Sequence, residues 1–384
     1  MVSKIMNFFN LGNKDISNKV DDSIELATQR QLIWRRFKRH RLGFTASIVV
    51  VLFYFVVLFA DFLSTAPPVD YAAKRGYMPP QGIHFFQDGN FMSVCDVSGE
   101  RNMETYLMEF EADCDNSQPI SFFAKGYEYK LWGIIKTDRH ILGMTDNTQD
   151  PNAWIHLFGT DKQGRDVFSR TMHATRVSLT IGLVGVALSI VFGIFLGAIS
   201  GYYGGLIDSL IQRFIEIIRS VPTIPLYMGL SSAFPDDWTI NQVYFMITVI
   251  ISLFAWTDLA RVIRGRFLAL KDEDFVTAAR LNGAKTMRII FIHMLPSFYS
   301  HIIAQASLSL PLMIVTETSL SFLGLGLRPP AVSYGVLLKD AQNVQSVANM
   351  PWLFIPAIAV VLVILALNFM GDGIRDAADP YQEV

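Results

Sequence analysis

The stretch "VSLTIGLVGVALSIVFGIFLGAISGYYGGLI", residues 177–207, contains no Asp, Glu, Lys or Arg. Because a bilayer core of about 30 Å is crossed by about 20 apolar residues in a helix, this stretch predicts a membrane-spanning helix. Its small residues favour close packing against a neighbouring helix, and the lining of a pore is the alternative. The glycines on which this prediction depends are Gly182, Gly185, Gly193 and Gly197.

The composition and five further apolar stretches extend this prediction to the whole chain. Of the 384 residues, 51% are hydrophobic and 17% are charged, and the mean hydropathy of +0.34 favours a membrane protein. The other candidate spans are 42–60, 209–232, 243–257, 289–315 and 351–370. The weakest is 209–232, because charged residues occupy its first half and Pro222 and Pro225 interrupt its middle. We therefore predict an all-α membrane protein with six transmembrane helices.

Two basic clusters predict the orientation of these helices. The segment "RQLIWRRFKRHR", residues 30–41, directly precedes the first span and is dense in Lys and Arg, so the N-terminus is expected in the cytoplasm. Counting six spans from that start places Arg261, Arg264, Arg266 and Lys271 on the cytoplasmic side, as the positive-inside rule independently expects. The same count places the C-terminus in the cytoplasm. A cleaved signal peptide fits less well, because the apolar run begins after residue 40 and is longer than a signal core.

The segment between the first two spans, residues 65–165, is predicted to be a small extracytoplasmic insert of mixed structure. It has turn signals such as "MPPQG" and "QDGN", and it contains Cys95 and Cys114, the only cysteines of the chain. Outside the cytoplasm these cysteines are expected to form a disulfide, and two free thiols are the alternative. The predicted boundaries are a cytoplasmic segment 1–41, a first transmembrane helix 42–64, the insert 65–165, a five-helix core 166–375 with a cytoplasmic loop 271–288, and a cytoplasmic tail 376–384.

A search for catalytic motifs gives negative results. The chain contains no GxxxxGK[ST] phosphate-binding loop, no GxSxG, no HExxH and no Cys/His spacing typical of a metal site. We therefore predict no catalytic, cofactor-binding or metal-binding residues, no cofactor and no enzymatic activity. Acidic residues are nearly absent from the middle of the spans, whereas an ion-coupled transporter usually keeps several there. A secondary transporter and a membrane-anchored enzyme remain as alternatives.

The predicted cytoplasmic loop includes the stretch "DFVTAARLNGAKTMRIIFIHMLPS", residues 274–297. The acidic residues Asp272, Glu273 and Asp274 favour a helix N-terminus, and Gly283 favours a helix end, so a short helix is expected between them. An ordinary connection between two spans is the alternative interpretation of this helix.

This loop resembles the EAA motif of bacterial ABC-importer permeases. The matching residues are Ala278, Ala279, Gly283, Leu295 and Pro296. Thr277 stands where the motif has an acid, and His293 stands where it has isoleucine. Four further stretches are similar to the oligopeptide/dipeptide branch of that family and occur in the same order. They are "LFGTDKQGRDVFSRTMHATRVSLTIGL", "GYYGGLIDSLIQRFIEII", "ETSLSFLGLGLRPP" and "MGDGIRDAADP".

The resemblance implies a permease subunit of an ATP-driven importer in the bacterial inner membrane, working by alternating access. The implied partners are a second homologous permease, two ATP-binding cassette ATPase subunits, an extracytoplasmic substrate-binding protein and membrane lipid, and no nucleic acid is expected. Peptides are the expected cargo, while related branches carry oligosaccharides, nickel or opines.

The resemblance also implies roles for the loop residues, and further polar residues are interpreted from their positions beside the spans. The residues expected to couple the permease to the ATPase are Asp274, Thr277, Ala278, Ala279, Gly283, Leu295 and Pro296. Glu317 and Ser321 are candidates for the substrate pathway, and for Glu317 the alternative is a carboxylate that caps the following segment. Arg165, Asp166 and Arg170 are expected to form an interfacial ion-pair collar, with a substrate site as the alternative.

Overall fold

The computed structural model describes residues 28–87, 90–104, 108–145, 154–235, 237–343 and 348–378. This part of the chain is mostly helical, with one small region of strands. Five helical segments are long and apolar enough to cross a membrane, which agrees with the predicted class. They are Arg41–Leu63, Val167–Tyr203, Ile240–Leu270, Thr286–Phe322 and Pro351–Ala378.

The helices are numbered here in chain order. They are α1 (Gln29–Arg39), α2 (Arg41–Leu63), α3 (Val167–Tyr203), α4 (Gly205–Ser220), α5 (Thr223–Ser232), α6 (Ile240–Leu270), α7 (Asp274–Leu281), α8 (Tyr299–Phe322), α9 (Tyr334–Ala341) and α10 (Ile355–Ala378).

The weakest predicted span, 209–232, is not one continuous helix. Helix α4 ends at Ser220, Val221 is extended at φ −91° and ψ 130°, and α5 begins at Thr223. The physical reason is Pro222, which has no N–H to donate and whose ring excludes the helical conformation from the residue before it. The described residues therefore contain five helices of spanning length and, in place of the expected sixth, two shorter ones.

Glycines hold α3 close to α6. A β-carbon added at Gly197 would lie 2.6 Å from the carbonyl oxygen of Ala260, and one at Gly201 would lie 2.5 Å from the β-carbon of Phe267. Gly193 likewise faces the side chain of Leu259 at 3.0 Å. The predicted role of Gly193 and Gly197 in close helix packing is confirmed, because the space that a side chain needs is already filled by the neighbouring helix.

The strands lie between α2 and α3. They are β1 (Ile83–Gln87), β2 (Asn90–Arg101), β3 (Met108–Phe122), β4 (Lys125–Leu131), β5 (Ile135–Arg139) and β6 (Leu142–Met144). Four of them form an antiparallel sheet in the order β1-β2-β3-β6, and β4 pairs with β5. A small core that includes Val94, Ile120 and Ile155 stabilises this region.

Hydrogen bonds attach the strand region to the long helices. The Ile141 N–H donates to the carbonyl of Phe62 at 2.8 Å, and the Trp132 indole N–H donates to the carbonyl of Leu58 at 3.0 Å. On the other side, the Thr65 N–H donates to the Ser169 hydroxyl at 3.0 Å. The strands are therefore fixed to the end of α2, and the residue Thr65 just after α2 is bonded to the start of α3.

Cys95 and Cys114 meet on the paired strands β2 and β3 and are joined by a disulfide, with their α-carbons 4.4 Å apart. The strand register shifts here, since Val94 pairs with Gln118 whereas Asp96 pairs with Asp113. Residues 114–117 of β3 therefore lie opposite Cys95 alone and form a bulge, which the Cys95–Cys114 bond spans.

We predict that Gly197→Ala destabilises the protein by about 1–3 kcal/mol, because the new methyl group overpacks the contact with Ala260. The matched control is Gly265→Ala on α6, where an added β-carbon meets nothing within 4 Å. That change should leave stability unaltered or raise it by up to about 1 kcal/mol, since Ala is the better helix former. The measurement is the thermal unfolding midpoint of each detergent-solubilised variant. Equal midpoints for the two variants would contradict the packing role of Gly197.

We predict that mass spectrometry of the non-reduced, alkylated protein recovers Cys95 and Cys114 in one linked peptide pair. The two cysteines are 19 residues apart. A closed loop of that size stabilises the folded state by about 3 kcal/mol in the chain-entropy account. Replacing both by Ser should weaken the strand region without unfolding the helices. Recovery of both thiols in alkylated form would contradict the pairing.

Candidate functional site

Helix α7 is held against the long helices through one buried side chain. Val276 is fully buried and packs in a cluster that includes Phe267 of α6 and Met294 after α7. Asp274 occupies the first turn and Arg280 the last, so both charges oppose the partial charges of the helix ends. The guanidinium of Arg280 also lies 6.0 Å from the ring centre of Tyr202 at the end of α3. The short helix predicted from sequence is therefore present and firmly seated.

Gly283 ends α7 in a Schellman motif. Its φ is +75°, a left-handed conformation that glycine adopts without steric cost. The Gly283 N–H donates to the carbonyl of Arg280 at 3.0 Å, and the Ala284 N–H donates to the carbonyl of Ala279 at 3.1 Å. The predicted helix end at Gly283 is confirmed, and its turn directs the chain back towards α8.

The face of α7 opposite Val276 is exposed. Asp274, Thr277, Ala278 and Leu281 share this face, at the three- and four-residue spacing of a helix. Leu281 is 84% exposed, and the adjacent Phe275 is 41% exposed. An eight-residue helix with two large apolar side chains in solvent has the composition of a protein contact surface. We call these five residues the α7 surface.

Sequence analysis singled out the small and acidic residues of the α7 surface but missed Phe275 and Leu281. The signal for Leu281 was its position seven residues after Asp274, which places both on one helix face. Phe275 gave no such signal, because only the structure shows that Val276, its neighbour, is the residue that turns inward.

Leu295 and Pro296 lie at the joint between α7 and α8. The backbone is a π-helical turn over Ile289–Met294 and a 3₁₀ turn over Leu295–Phe298. Pro296 has no N–H for the carbonyl four residues earlier, which explains why regular α-helix is absent at this point. Leu295 is buried in the same cluster as Val276, and Ala279 packs against that cluster. Leu295 and the Ala279 side of α7 therefore meet in one cluster, while Pro296 is exposed.

Glu317 and Ser321 lie between helices and are completely or almost completely buried. The Ser178 hydroxyl of α3 donates to the Glu317 carboxylate at 2.7 Å, and the Ser321 hydroxyl donates to it at 2.9 Å. The Ser321 oxygen in turn accepts the Leu327 N–H at 3.0 Å. These contacts tie α3 to α8 and to the segment after α8. The Glu317 carboxylate accepts from side-chain hydroxyls, and it is Ser321 that accepts a backbone N–H of the following segment, so a role of either residue in a substrate pathway stays a prediction.

A groove of about 750 Å³ runs between α4 and α5 on one side and α6 and α8 on the other. Helix α8 contributes polar side chains to it at helical spacing: Gln305, Ser309, Thr316 and Ser319. The hydroxyls of Ser309 and Thr316 donate to carbonyls of their own helix, which leaves their oxygens available as acceptors. Apolar side chains such as Tyr227 and Phe254 line the rest. Sequence analysis missed this stripe, although its spacing is readable in the sequence.

Charged side chains line the end of the groove near α7. Arg219 of α4 forms an ion pair with Asp258 of α6, and both line the groove together with Arg261. Within the described residues, Arg261 has no carboxylate partner within 4.0 Å. Exposed charges next to membrane-spanning helices are unfavourable against lipid tails. This face of the helices is therefore suited to a polar pathway or to another protein.

The ion-pair collar lies around the start of α3, away from α7. Arg165 donates to Asp161 at 2.7 Å and to Asp340 of α9 at 3.0 Å, and Arg170 pairs with the same two carboxylates. Burial raises the pKa of the Asp340 carboxyl, and the two guanidiniums oppose that rise. Asp166 accepts the Ser169 N–H at 2.6 Å and caps α3. Arg165 and Arg170 therefore belong to an ion-pair cluster, as predicted, but their carboxylate partners are Asp161 and Asp340, whereas Asp166 contacts His156 and caps α3.

Two protein-family models match the chain. A family model described as "Binding-protein-dependent transport system inner membrane component" matches residues 193–383. A second, described as "N-terminal TM domain of oligopeptide transport permease C", matches residues 28–80.

Individual relatives and one solved structure extend the comparison. The oligopeptide transport system permease protein OppC of Haemophilus influenzae is 42% identical over 67% of this chain and 78% of its own length. The dipeptide transport system permease protein DppC of Lactococcus lactis subsp. cremoris is 32% identical over 96% of this chain and 97% of its own length. An inward-facing structure of the MetNI methionine ABC transporter covers 55% of this chain and 96% of its own, with 17% identity and a TM-score of 0.42.

Proposed function

Because the chain belongs to the inner-membrane permease family of binding-protein-dependent ABC importers, we propose that it forms half of a peptide pathway opened by alternating access. The chain is a multi-pass membrane permease subunit. The observation that carries the proposal is the α7 surface: an exposed apolar face on a short loop helix whose opposite side is anchored in the membrane-spanning helices.

The α7 surface is the proposed docking site for an ATPase subunit. Ala278 allows close approach of a partner, and Phe275 and Leu281 supply apolar area that association would remove from water. Thr277 carries no charge, and Asp274 is the acid on the same face, so any pairing with a basic partner residue falls to Asp274. One chain offers one such surface. Two ATPase subunits therefore require a second, homologous permease.

The proposed topology has six crossings, with α4 and α5 together forming the third. The N-terminus, the loop 271–288 and the C-terminus are then cytoplasmic, and the strand region is extracytoplasmic. The basic residues around α1 and at the end of α6 support this orientation. An extracytoplasmic strand region lies where a substrate-binding protein would deliver cargo. The space outside the cytoplasm is also the compartment in which the Cys95–Cys114 disulfide persists.

The groove is the proposed wall of the substrate pathway, and peptides are the proposed cargo. The relatives are named for oligopeptide and dipeptide transport. Every peptide presents backbone N–H and C=O groups, so amide and hydroxyl side chains such as Gln305 and Ser309 can contact peptides of many sequences. The described lining includes no His or Cys, the ligand types that bind a transition-metal ion such as nickel most tightly, so it favours a peptide over such an ion.

An ion-coupled secondary transporter is the alternative from another class. It predicts uptake by this chain alone in vesicles with an ion gradient and no ATPase subunits. The proposal predicts uptake only when both ATPase subunits, the second permease and the binding protein are present with ATP.

We predict that Gly283→Leu lowers ATP-driven transport by about an order of magnitude, because the left-handed turn costs a residue with a β-carbon roughly 1–2 kcal/mol and the α7 surface is displaced. No atom lies within 4 Å of a β-carbon added there, so the helices themselves should remain folded. Asn tolerates the left-handed conformation, so Gly283→Asn should retain most of the activity. Membrane level, ATPase co-purification and substrate-stimulated hydrolysis are compared for the three proteins. Normal transport and hydrolysis in Gly283→Leu would make the loop an ordinary connection.

We predict that Ser309→Trp reduces transport to the level seen without ATP, because an indole fills the groove beside Leu312. The matched control is Leu362→Trp on α10, an exposed position on a wholly apolar helix face. It should transport normally. Both variants should co-purify with the ATPase subunits. Unimpaired transport by Ser309→Trp would place the pathway elsewhere on the chain.

A further inference from the structure

Helix α1 is held in a fixed position beside the start of α2. His40 breaks the helix between them at ψ 87°, and its Nδ1 accepts the Gly43 N–H at 2.9 Å, which caps α2. Phe37 of α1 is buried, and its ring would contact a β-carbon added at Gly373 of α10 at 3.2 Å. The His40 Nε2 also lies 3.6 Å from the Asp376 carboxylate. Because α2 is apolar from its first turns, α1 lies at the boundary of the membrane.

The outward face of α1 is basic. Arg35, Lys38 and Arg39 are exposed at helical spacing and continue to the exposed Leu42. None of the three cations has a carboxylate within 4.0 Å in the part of the chain that the structure describes. The sequence of α1 contains no Asp or Glu. Its charge is therefore available to an anionic partner outside the chain.

An exposed tryptophan lies beside these cations. Trp34 is 53% exposed, its ring stacks on Phe37 with centres 6.0 Å apart, and the Lys38 ammonium lies 5.2 Å from its ring centre. Tryptophan is enriched at the membrane–water interface, where its ring is partly in the acyl region and its N–H remains hydrated. A basic face, an interfacial Trp and an anchored apolar side are together the features of a helix that lies in the headgroup layer.

We propose that α1 binds the headgroups of anionic phospholipids through Arg35, Lys38 and Arg39, with Trp34 seated at the level of the headgroups. If α1 only set the orientation of the chain in the membrane, its basic residues would be sufficient. The exposed Trp34 and the fixed docking of α1 against α10 would then have no role. Cations near an anionic leaflet attract its headgroups, so the three together should enrich anionic lipid several-fold around α1. The site is independent of the transported substrate and of the proposed function.

The test uses the full chain in vesicles and reads lipid contact at Trp34. Vesicles contain an equal mole fraction of either brominated phosphatidylglycerol or brominated phosphatidylcholine, and the difference between the parent and Trp34→Phe isolates the Trp34 signal. We expect quenching to be several-fold stronger with brominated phosphatidylglycerol. The triple variant Arg35→Gln/Lys38→Gln/Arg39→Gln should lose this preference while brominated phosphatidylcholine still quenches. The matched control, Arg266→Gln/Lys271→Gln at the end of α6, should keep the preference.

Five outcomes would overturn the proposal. Equal quenching by both lipids would leave α1 with a role in orientation only. A preference that survives in the triple variant, or that the control variant also loses, would assign the lipid contact to other residues. Loss of the preference on addition of millimolar glycerol phosphate would indicate a site for small anions. Loss of quenching by both lipids once the ATPase subunits are added would make α1 a protein contact.

Discussion

The close contact between α3 and α6 is the constraint on which the rest of the structure depends. Between helices in a bilayer the hydrophobic effect is weak, so association depends on close packing and on polar contacts. This packing is possible because glycine occupies positions 193, 197 and 201, where a side chain would overlap atoms of α6. The same contact sets the position of α6, which supports both the groove and the α7 surface.

Helix α6 links these two sites directly. Asp258 and Arg261 line the groove. Leu259, one position after Asp258, and Ile263, two positions after Arg261, belong to the cluster that holds Val276 of α7. Neighbouring positions of one rigid helix thus face the proposed pathway and the proposed ATPase contact. We infer that movement of α7 reaches the groove through α6, because Val276 of α7 and Leu259 and Ile263 of α6 pack in one cluster.

The opposite end of the molecule is built from buried polar contacts. Arg170 and Glu317 are almost completely buried, and each is bonded to groups on other segments. Buried ion pairs add little net stability, but separating them leaves an unpaired charge in a medium of low polarity, which is costly. The collar and the Glu317 network therefore keep α3, α8 and α9 in one arrangement. The charges that line the groove, Arg219, Asp258 and Arg261, lie instead on α4 and α6.

The sequence by itself determined the membrane class, the positions of five spans, the end of α7 at Gly283 and the family, because these depend on local composition, periodicity and motif spacing. Continuity of the span at 209–232 could not be decided in this way, since the effect of Pro222 competes with that of the apolar residues around it. Tertiary structure alone decided that Glu317 is buried, that Phe275 and Leu281 are exposed and that Gln305 and Ser309 face a groove. The physical reason is that burial depends on which neighbour occupies a helix face, and those neighbours come from segments distant in the chain.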